Sequence, residues 1–139
     1  MNYTELTNAI KEYTDNTETT FVNNIPNFVR QTEERIYRSI LIPELRKNVT
    51  TSLTTSNRFL AKPTDFLAVF SIAVVDGSSN YSFLLPKDVN FIREAYPATG
   101  TTGLPLYYSL FDGDNFLLAP TPDSTYTVQL HYYYDPPSI

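Results

Sequence analysis

Two adjacent carboxylates, Glu33 and Glu34, lie among arginines in the stretch TEERIYRS at residues 32–39. Paired carboxylates can transfer protons or bind a metal ion. On a helix, however, adjacent side chains point about 100° apart, so these two cannot share a proton or a metal without another segment. Helical spacing instead pairs Glu34 with Arg30 and Arg38, at about 0.2–0.5 kcal/mol per pair. The pattern favours a solvated or subunit-facing helix side.

Two other stretches contain residue types that occur in active or metal sites. Asp112-Gly-Asp-Asn115 has oxygens spaced as in a calcium loop, but it lacks the closing glutamate, and Asp-Gly is a strong hairpin signal. The single histidine, His131, falls on the polar side of the alternating strand VQLHYYYD. We therefore predict a hairpin at 112–115, no catalytic role for His131, and neither a metal ion nor a cofactor.

The composition narrows the classes of protein further. The chain has 139 residues, no cysteine and a net charge of −5. This length fits one domain, and the lack of cysteine excludes disulfides and thiolate metal sites. An acidic chain without a basic run is poorly suited to wrapping nucleic acid. No long apolar run is present near residue 1, so the sequence predicts neither a signal peptide nor a membrane span, and synthesis in a cytosol.

Periodic apolar residues predict helices at the beginning of the chain. The spacing of Tyr3, Leu6 and Ile10 predicts a helix over 3–14, and Asn2 with Glu5 has the spacing of a capping box. Asp15 and Glu18 repeat the capping-box spacing and predict the start of a second helix. The apolar stripe of this helix comprises Ile25, Phe28, Val29, Ile36 and Ile40. Pro26 either kinks one long helix or lies in the first turn of another helix that begins near Asn24.

Strand patterns dominate the chain after Pro43. We predict strands over 48–55, 58–61, 66–75, 81–85, 106–111, 116–118 and 126–134, with a short helix capped by Asp88. The apolar run 66–75 is typical of a strand buried on both faces. The fold class predicted is α+β, with N-terminal helices followed by an antiparallel β-sandwich or open barrel and one short inserted helix. We expect a single domain over 1–139, with a helical part at 1–42 and a β-rich part at 43–139.

Four stretches together resemble the head-to-tail adaptor, or connector, proteins of tailed bacteriophages. They read NTETTFVNNIPNFVRQTEERIYRSILIPELRKN, LAKPTDFLAVFSIAV, LLPKDVNFIREAYP and TGLPLYYSLFDGDNFLLAPTPDSTYTVQLHYYY. The likeness covers about 16–137 and keeps the order of the segments. It implies a non-enzymatic virion structural protein in the neck, forming a ring of typically twelve copies that joins the portal protein to the tail tube or nozzle. The genome DNA would pass through this ring without sequence-specific binding, and no membrane is involved.

The resemblance gives the charged and aromatic residues a second interpretation, as contacts between subunits or with the portal. The candidate interface residues are Arg30, Glu33, Glu34, Arg35, Arg38, Tyr107, Tyr108 and Tyr133. Members of the family usually continue past the final strand into C-terminal helices, whereas the sequence printed here reads only to Ile139.

Two alternatives stay open at this point. The eleven tyrosines could form a glycan-binding surface on a β-sandwich module of a phage tail, which requires exposed rings at Tyr108 and Tyr133. A cell-wall hydrolase would instead use Glu33 or Glu34 together with Asp112.

Overall fold

The structure, a computed structural model, describes all 139 residues and divides into two compact units. The helical unit comprises Met1–Ile42 and Asp135–Ile139, and the β unit comprises Pro43–Tyr134. Helices are followed by open sheets of mixed strand direction, with no closed barrel, so the α+β prediction is confirmed. A single adaptor domain over 1–139 stays a prediction.

The helical unit begins with α1, Tyr3–Thr14, as predicted. Its capping box is present: the Asn2 side chain accepts from the Glu5 N–H, and the Glu5 carboxylate accepts from the Asn2 N–H, both at 2.9 Å. These reciprocal bonds satisfy two of the backbone donors that a helix start leaves without partners. The helix ends at Asp15, whose φ of 46° is left-handed.

The second helix, α2, runs without interruption over Thr19–Ser39 and contains Pro26. The alternative of a separate helix beginning near Asn24 is therefore wrong. The predicted capping box at Asp15 and Glu18 is also wrong, because Asp15 terminates α1 and the N-cap Glu18 makes no side-chain cap bond. The Asn16 side chain takes over part of that role by accepting from the Glu18 N–H at 2.9 Å.

The β unit contains ten strands, a 3₁₀ helix at Pro43–Leu45 and the inserted helix α3 at Val89–Ala95. The strands are β1 Arg46–Ser52, β2 Phe59–Ala61, β3 Phe66–Val75, β4 Tyr81–Phe83, β5 Leu85–Pro86, β6 Thr102–Gly103, β7 Tyr107–Leu110, β8 Asn115–Ala119, β9 Thr121–Pro122 and β10 Thr127–Tyr134. The predicted strands and the short helix are all present: β3 has the predicted bounds, the predicted strand 81–85 is divided into β4 and β5, and the other strands have shifted ends.

Two four-stranded sheets form the body of the β unit. The first sheet has the order β1-β10-β3-β4, the second has the order β2-β8-β7-β5, and β6 pairs with β9 separately. The first sheet is antiparallel throughout, but β5 pairs with β7, and β6 with β9, in parallel. The predicted antiparallel pairing thus holds for the longer strands, and the two parallel pairs of short strands are additions that the sequence did not predict. Two-residue strands are too short to show the alternation that reveals strands in a sequence.

The main core lies between the two sheets. Its buried members are Leu53, Leu60, Ile72, Val74, Leu84, Tyr108, Phe116, Leu118, Val128, Leu130 and Tyr132. Along β10, Val128, Leu130 and Tyr132 are buried while the residues between them are more exposed, as alternation predicted. The interpretation of β3 as buried on both faces is wrong, because Phe70 is 51 % exposed and only the stretch from Ile72 to Val74 is fully buried.

A smaller core cluster fixes α3 against the second sheet. Ile92 is fully buried and packs with Leu117 and Ala119. Asp88 is the N-cap residue, as predicted, although its side chain makes no cap hydrogen bond. Phe91, by contrast, lies at the surface and contacts the ring of Tyr107 edge-on at 5.6 Å.

Candidate functional site

The carboxylates of Glu33 and Glu34 engage different groups. Glu34 Oε1 accepts from Arg30 Nε at 3.2 Å, one helical turn away. Glu33 accepts from the Ser138 hydroxyl at 2.5 Å and from the Ile139 N–H at 3.3 Å. The two side chains therefore do not form one acid and base pair, as helical geometry predicted. The contact of Glu33 with residues more than a hundred positions away has no signal in the sequence.

The predicted ion pair between Glu34 and Arg38 is not formed, because the Glu34 carboxylate is bonded to Arg30 instead. Arg30, Arg35 and Arg38 are all exposed, whereas Glu34 is half-buried. These residues form a charged side of α2 whose arginines have free donors. Arginine guanidinium groups are well suited to bidentate contacts with carboxylates of a partner.

An apolar groove lies between α1 and α2 within the helical unit. It has a volume of about 300 Å³. Its lining comprises Leu6, Ile10, Phe28, Val29, Thr32, Glu33, Ile36 and Ile139. Phe28 is 49 % exposed and Ile36 is 43 % exposed, although both belong to the apolar stripe of α2. The stripe is thus only partly covered in the single chain.

In the β unit, an aromatic and cationic cluster lies on the outer face of the first sheet. The Phe70 ring contacts the rings of His131 at 5.3 Å and Tyr133 at 6.3 Å, and the Arg46 guanidinium lies 4.7 Å from the centre of the Phe70 ring. An arginine stacked on an exposed aromatic ring presents both apolar and charged surface. His131 thus packs in an aromatic cluster on this face.

Two of the candidate interface tyrosines contribute to packing within the chain. Tyr108 is only 9 % exposed and packs edge-on against Phe116 at 6.1 Å, and burial raises the pKa of its hydroxyl. Tyr107 is half-buried, and its ring lies 6.3 Å from that of Tyr96. The expectation of an exposed ring at Tyr108 is therefore wrong, because β7 turns this side chain into the core.

The loop at Asp112–Asn115 is a hairpin connection between β7 and β8, as predicted. The Asp112 carboxylate accepts from the backbone N–H groups of Asp114 at 2.8 Å and Asn115 at 2.7 Å. These bonds hold the pKa of Asp112 below its ordinary value. The Lys62 ammonium also donates to the Asp112 carbonyl. The carboxylate thus stabilises its own turn.

A charged hydrogen-bond network that sequence reasoning missed connects β1 and β10 with the residue that precedes β3. Asp65, just before β3, accepts from Lys47 Nζ at 2.6 Å and from the Tyr132 hydroxyl at 2.7 Å. Burial opposes ionisation of Asp65, but the bonds from Lys47 and Tyr132 hold its pKa below the ordinary value. Burial, reinforced by Asp65, raises the pKa of Tyr132 to about 12. This network therefore stabilises the β unit near the C-terminal end of β10.

One comparison with known proteins identifies the family of the chain. None of the three helices is both long enough and apolar enough to cross a membrane. A search of curated proteins found no match. The model of one protein family, described as SU10 adaptor protein, matches residues 1–139. Because the match extends over the whole chain, the chain belongs to the SU10 adaptor protein family, as its resemblance to bacteriophage head-to-tail adaptors predicted.

Proposed function

We propose that this adaptor forms a ring of twelve copies in the virion neck, between the portal protein and the tail tube or nozzle protein. The ring continues the channel through which the genome DNA passes. The observation that carries the proposal is the match of the whole chain to a family of phage adaptors. A structural role of this kind depends on the surfaces through which each copy contacts its neighbours and partners.

Incomplete burial in the helical unit supports a partner on α2. Only Ile25 and Val29 are buried there, while Phe28 and Ile36 keep much of their apolar surface in water. The charged side of α2 lies next to this stripe along the helix, so one partner can cover apolar surface and pair with Arg35 or Arg38. A polar rim around an apolar centre is the usual anatomy of a protein interface.

The charge of the chain supports a channel that lets DNA slide. Fifteen acidic residues exceed ten basic ones, giving the net charge of −5. A surface with this balance repels the phosphate backbone, whereas a binding surface must neutralise it with lysine and arginine. Cations that do lie on the surface are partly engaged, as with Arg46 over the Phe70 ring.

A non-enzymatic role is supported by the local partners of the acidic side chains. Glu34 is paired with Arg30, Glu33 with Ser138, and Asp112 with its own hairpin. A hydrolase using these carboxylates would need them free to approach a substrate. The glycan-binding alternative requires an exposed ring at Tyr108, but this side chain is buried in the core.

Negative-stain electron microscopy and native mass spectrometry of the purified protein, alone and with its portal protein, test the proposal. Rings whose mass corresponds to twelve chains, seated on the portal, are the expected result. A protein that forms neither rings nor a portal complex at any concentration up to that used for grids would contradict it. A ring with another number of copies would correct the stoichiometry alone.

A charge reversal tests the part assigned to α2. The double variant Glu34→Arg with Arg38→Glu keeps the net charge and loses the Arg30–Glu34 pair, which is worth only about 0.2–0.5 kcal/mol. Folding should therefore be nearly unaffected while ring or portal assembly is reduced. The matched control is Lys11→Glu with Glu12→Lys on α1, which reverses two charges of the same unit and should assemble normally. Equal assembly of both double variants would leave the α2 charges as ordinary solvated residues.

A further inference from the structure

The first sheet of the β unit has two edges along which a strand lacks a hydrogen-bonded neighbour over all or most of its length. In the first sheet, β1 pairs with β10 along its seven residues and has no strand on its other side. At the opposite side of the same sheet, β3 is paired with β4 only over Ala73–Val75. Residues 66–71 therefore present a second open edge, of a length similar to that of β1.

The edge of β1 lacks the features that normally protect an exposed strand. Natural proteins place charges, prolines, glycine bulges or covering segments along such edges, because open backbone groups pair readily with other chains. Arg46 and Lys47 provide charge only where β1 begins. The following stretch, NVTTS at 48–52, has no charge, no proline and no glycine, contains mostly β-branched residues, and is exposed throughout.

A cavity lies beneath the open edge of β3, between the two sheets. It has a volume of about 490 Å³, and its lining includes Phe66 and Val69 from β3, Lys87 before α3, and Tyr108 from β7. A smaller groove of about 220 Å³ lies at the other side, between Val49 and Thr51 of β1 and Leu60 of β2. Both openings of the sandwich thus expose space between the sheets next to a strand edge.

We propose that β1 of one copy pairs with the open edge of β3, residues 66–71, in the next copy. The first sheet then continues from subunit to subunit, by the backbone pairing that extended segments use at exposed sheet edges. Within one chain, β1 and β3 are both antiparallel to β10, so they run in the same direction. Neighbouring copies in a ring of twelve are related by a small rotation, so they would pair these edges in parallel.

Side-chain alternation agrees with this arrangement. Val49 and Thr51 are opposite the buried residues Leu130 and Val128, so they lie on the inner face of the first sheet. When β1 is placed beside β3 of another copy, that inner face covers the mouth of the 490 Å³ cavity. Because the two edges belong to different surfaces, the contact is heterologous and can close into a ring. The inference rests on the proposed ring and names the strands that join its subunits.

Engineered disulfides test this pairing in the full chain, which has no cysteine of its own. Asn48, Thr50 and Ala68 lie on the same outer face, opposite His131, Gln129 and Tyr133 of β10. The variants combine Ala68→Cys with Asn48→Cys or with Thr50→Cys, which samples two registers. Disulfides form only when the Cα atoms lie within roughly 4.4–6.8 Å. The control combines Thr50→Cys with Ser79→Cys in the loop between β3 and β4.

The expected result is a ladder of covalent multimers on non-reducing gels for at least one tested pair, and monomers for the control. Mixing the single variants Thr50→Cys and Ala68→Cys should give only dimers, because each chain then carries one half of the contact. Rings that assemble without cross-links from either pair would overturn the strand pairing and leave the ring intact. Cross-linked chains that never close would keep the pairing and contradict the ring. Absence of both would contradict both.

Discussion

The two units of this chain differ sharply in how much of their apolar surface they bury. The β unit encloses a core of eleven buried side chains between two sheets, with a second cluster under α3. The helical unit has a 21-residue helix and a 12-residue helix, yet only Ile25 and Val29 are buried in it. The β unit thus buries its apolar core within one chain, while the helical unit leaves much of its apolar stripe exposed to solvent or to a partner.

This difference separates stability from assembly. Helices in water depend mainly on packing of their apolar face, so a helix pair with two buried residues has few contacts that resist opening. A partner that covers Phe28 and Ile36 would supply those contacts. We infer that substitutions in the β unit act first on folding, whereas substitutions on α2 act first on association.

The largest effect is expected from truncating a ring in the β core. Phe116 is fully buried and packs edge-on against Phe66 at 5.4 Å, so Phe116→Ala should lower the free energy of unfolding by about 3–5 kcal/mol. Phe28→Ala in the helical unit removes the same ring from a half-exposed position and should cost about 1 kcal/mol or less. Urea denaturation of both variants compares them. Equal losses would remove the distinction between the units.

The next effect concerns the hydrogen bond between Tyr132 and Asp65. Tyr132→Phe removes one donor from an ionised carboxylate and should cost about 1.5–3 kcal/mol. The matched control is Tyr133→Phe, because the adjacent side chain lies on the outer face and should change stability by less than about 0.5 kcal/mol. The measurement is again urea denaturation near pH 7. A loss in the control as large as in Tyr132→Phe would show that the network is not special.

The same pair predicts how the difference depends on pH. Tyr132 has its pKa raised to about 12, so its contribution is complete below the ordinary value of about 10 and is lost as the pH rises from about 10 to 12. Asp65 has a lowered pKa, so its contribution is present above about 3.9 and is lost as the pH falls through its folded pKa. The gap between wild type and Tyr132→Phe should be constant between these limits and shrink outside them.

A smaller effect is expected at the start of α1. Asn2→Ala removes the capping box and should destabilise α1 by about 1 kcal/mol. Amide hydrogen exchange distinguishes a local from a global effect: exchange should accelerate about fivefold within α1 and stay unchanged in β10. The conservative variant Asn2→Ser keeps a side-chain acceptor and should restore most of the protection. Faster exchange in β10 as well would show that the units are coupled in stability.

The predictability of the fold from sequence follows the same division. Helix α1, the hairpin at Asp112–Asn115 and the burial of Leu130 and Tyr132 were predictable, because capping, turn chemistry and alternation are local patterns. The parallel pairs β5/β7 and β6/β9 were not, since two-residue strands with proline carry no periodicity. The exposure of Phe70 was not predicted, because an apolar run does not show which residues lie on the outer face of the sheet. There the Phe70 ring packs against Arg46, His131 and Tyr133.

The candidate site was predictable only where it lies on one helix. The pairing of Arg30 with Glu34 follows from their spacing, but the choice of Arg30 over Arg38 depends on rotamers. The contact of Glu33 with Ser138, and the network at Asp65, join residues far apart in sequence, which no single-sequence pattern encodes. The open edges of β1 and β3 likewise become visible only once the strand order is known.

The smallest effect is expected from the ion pair that first suggested chemistry on α2. Glu34→Gln removes the charge of a half-buried side chain whose partner Arg30 is exposed, and it should cost only about 0.2–0.5 kcal/mol in unfolding free energy. Because salt screens surface charges, the loss should vanish at about 1 M NaCl. Arg30→Gln is the matched partner variant, and the double variant should be no worse than either single one. If Glu34→Gln leaves folding intact but halves the ring yield in the assembly assay, the carboxylate acts in a contact between chains. That result would place an assembly determinant on α2 and outside the core of the β unit.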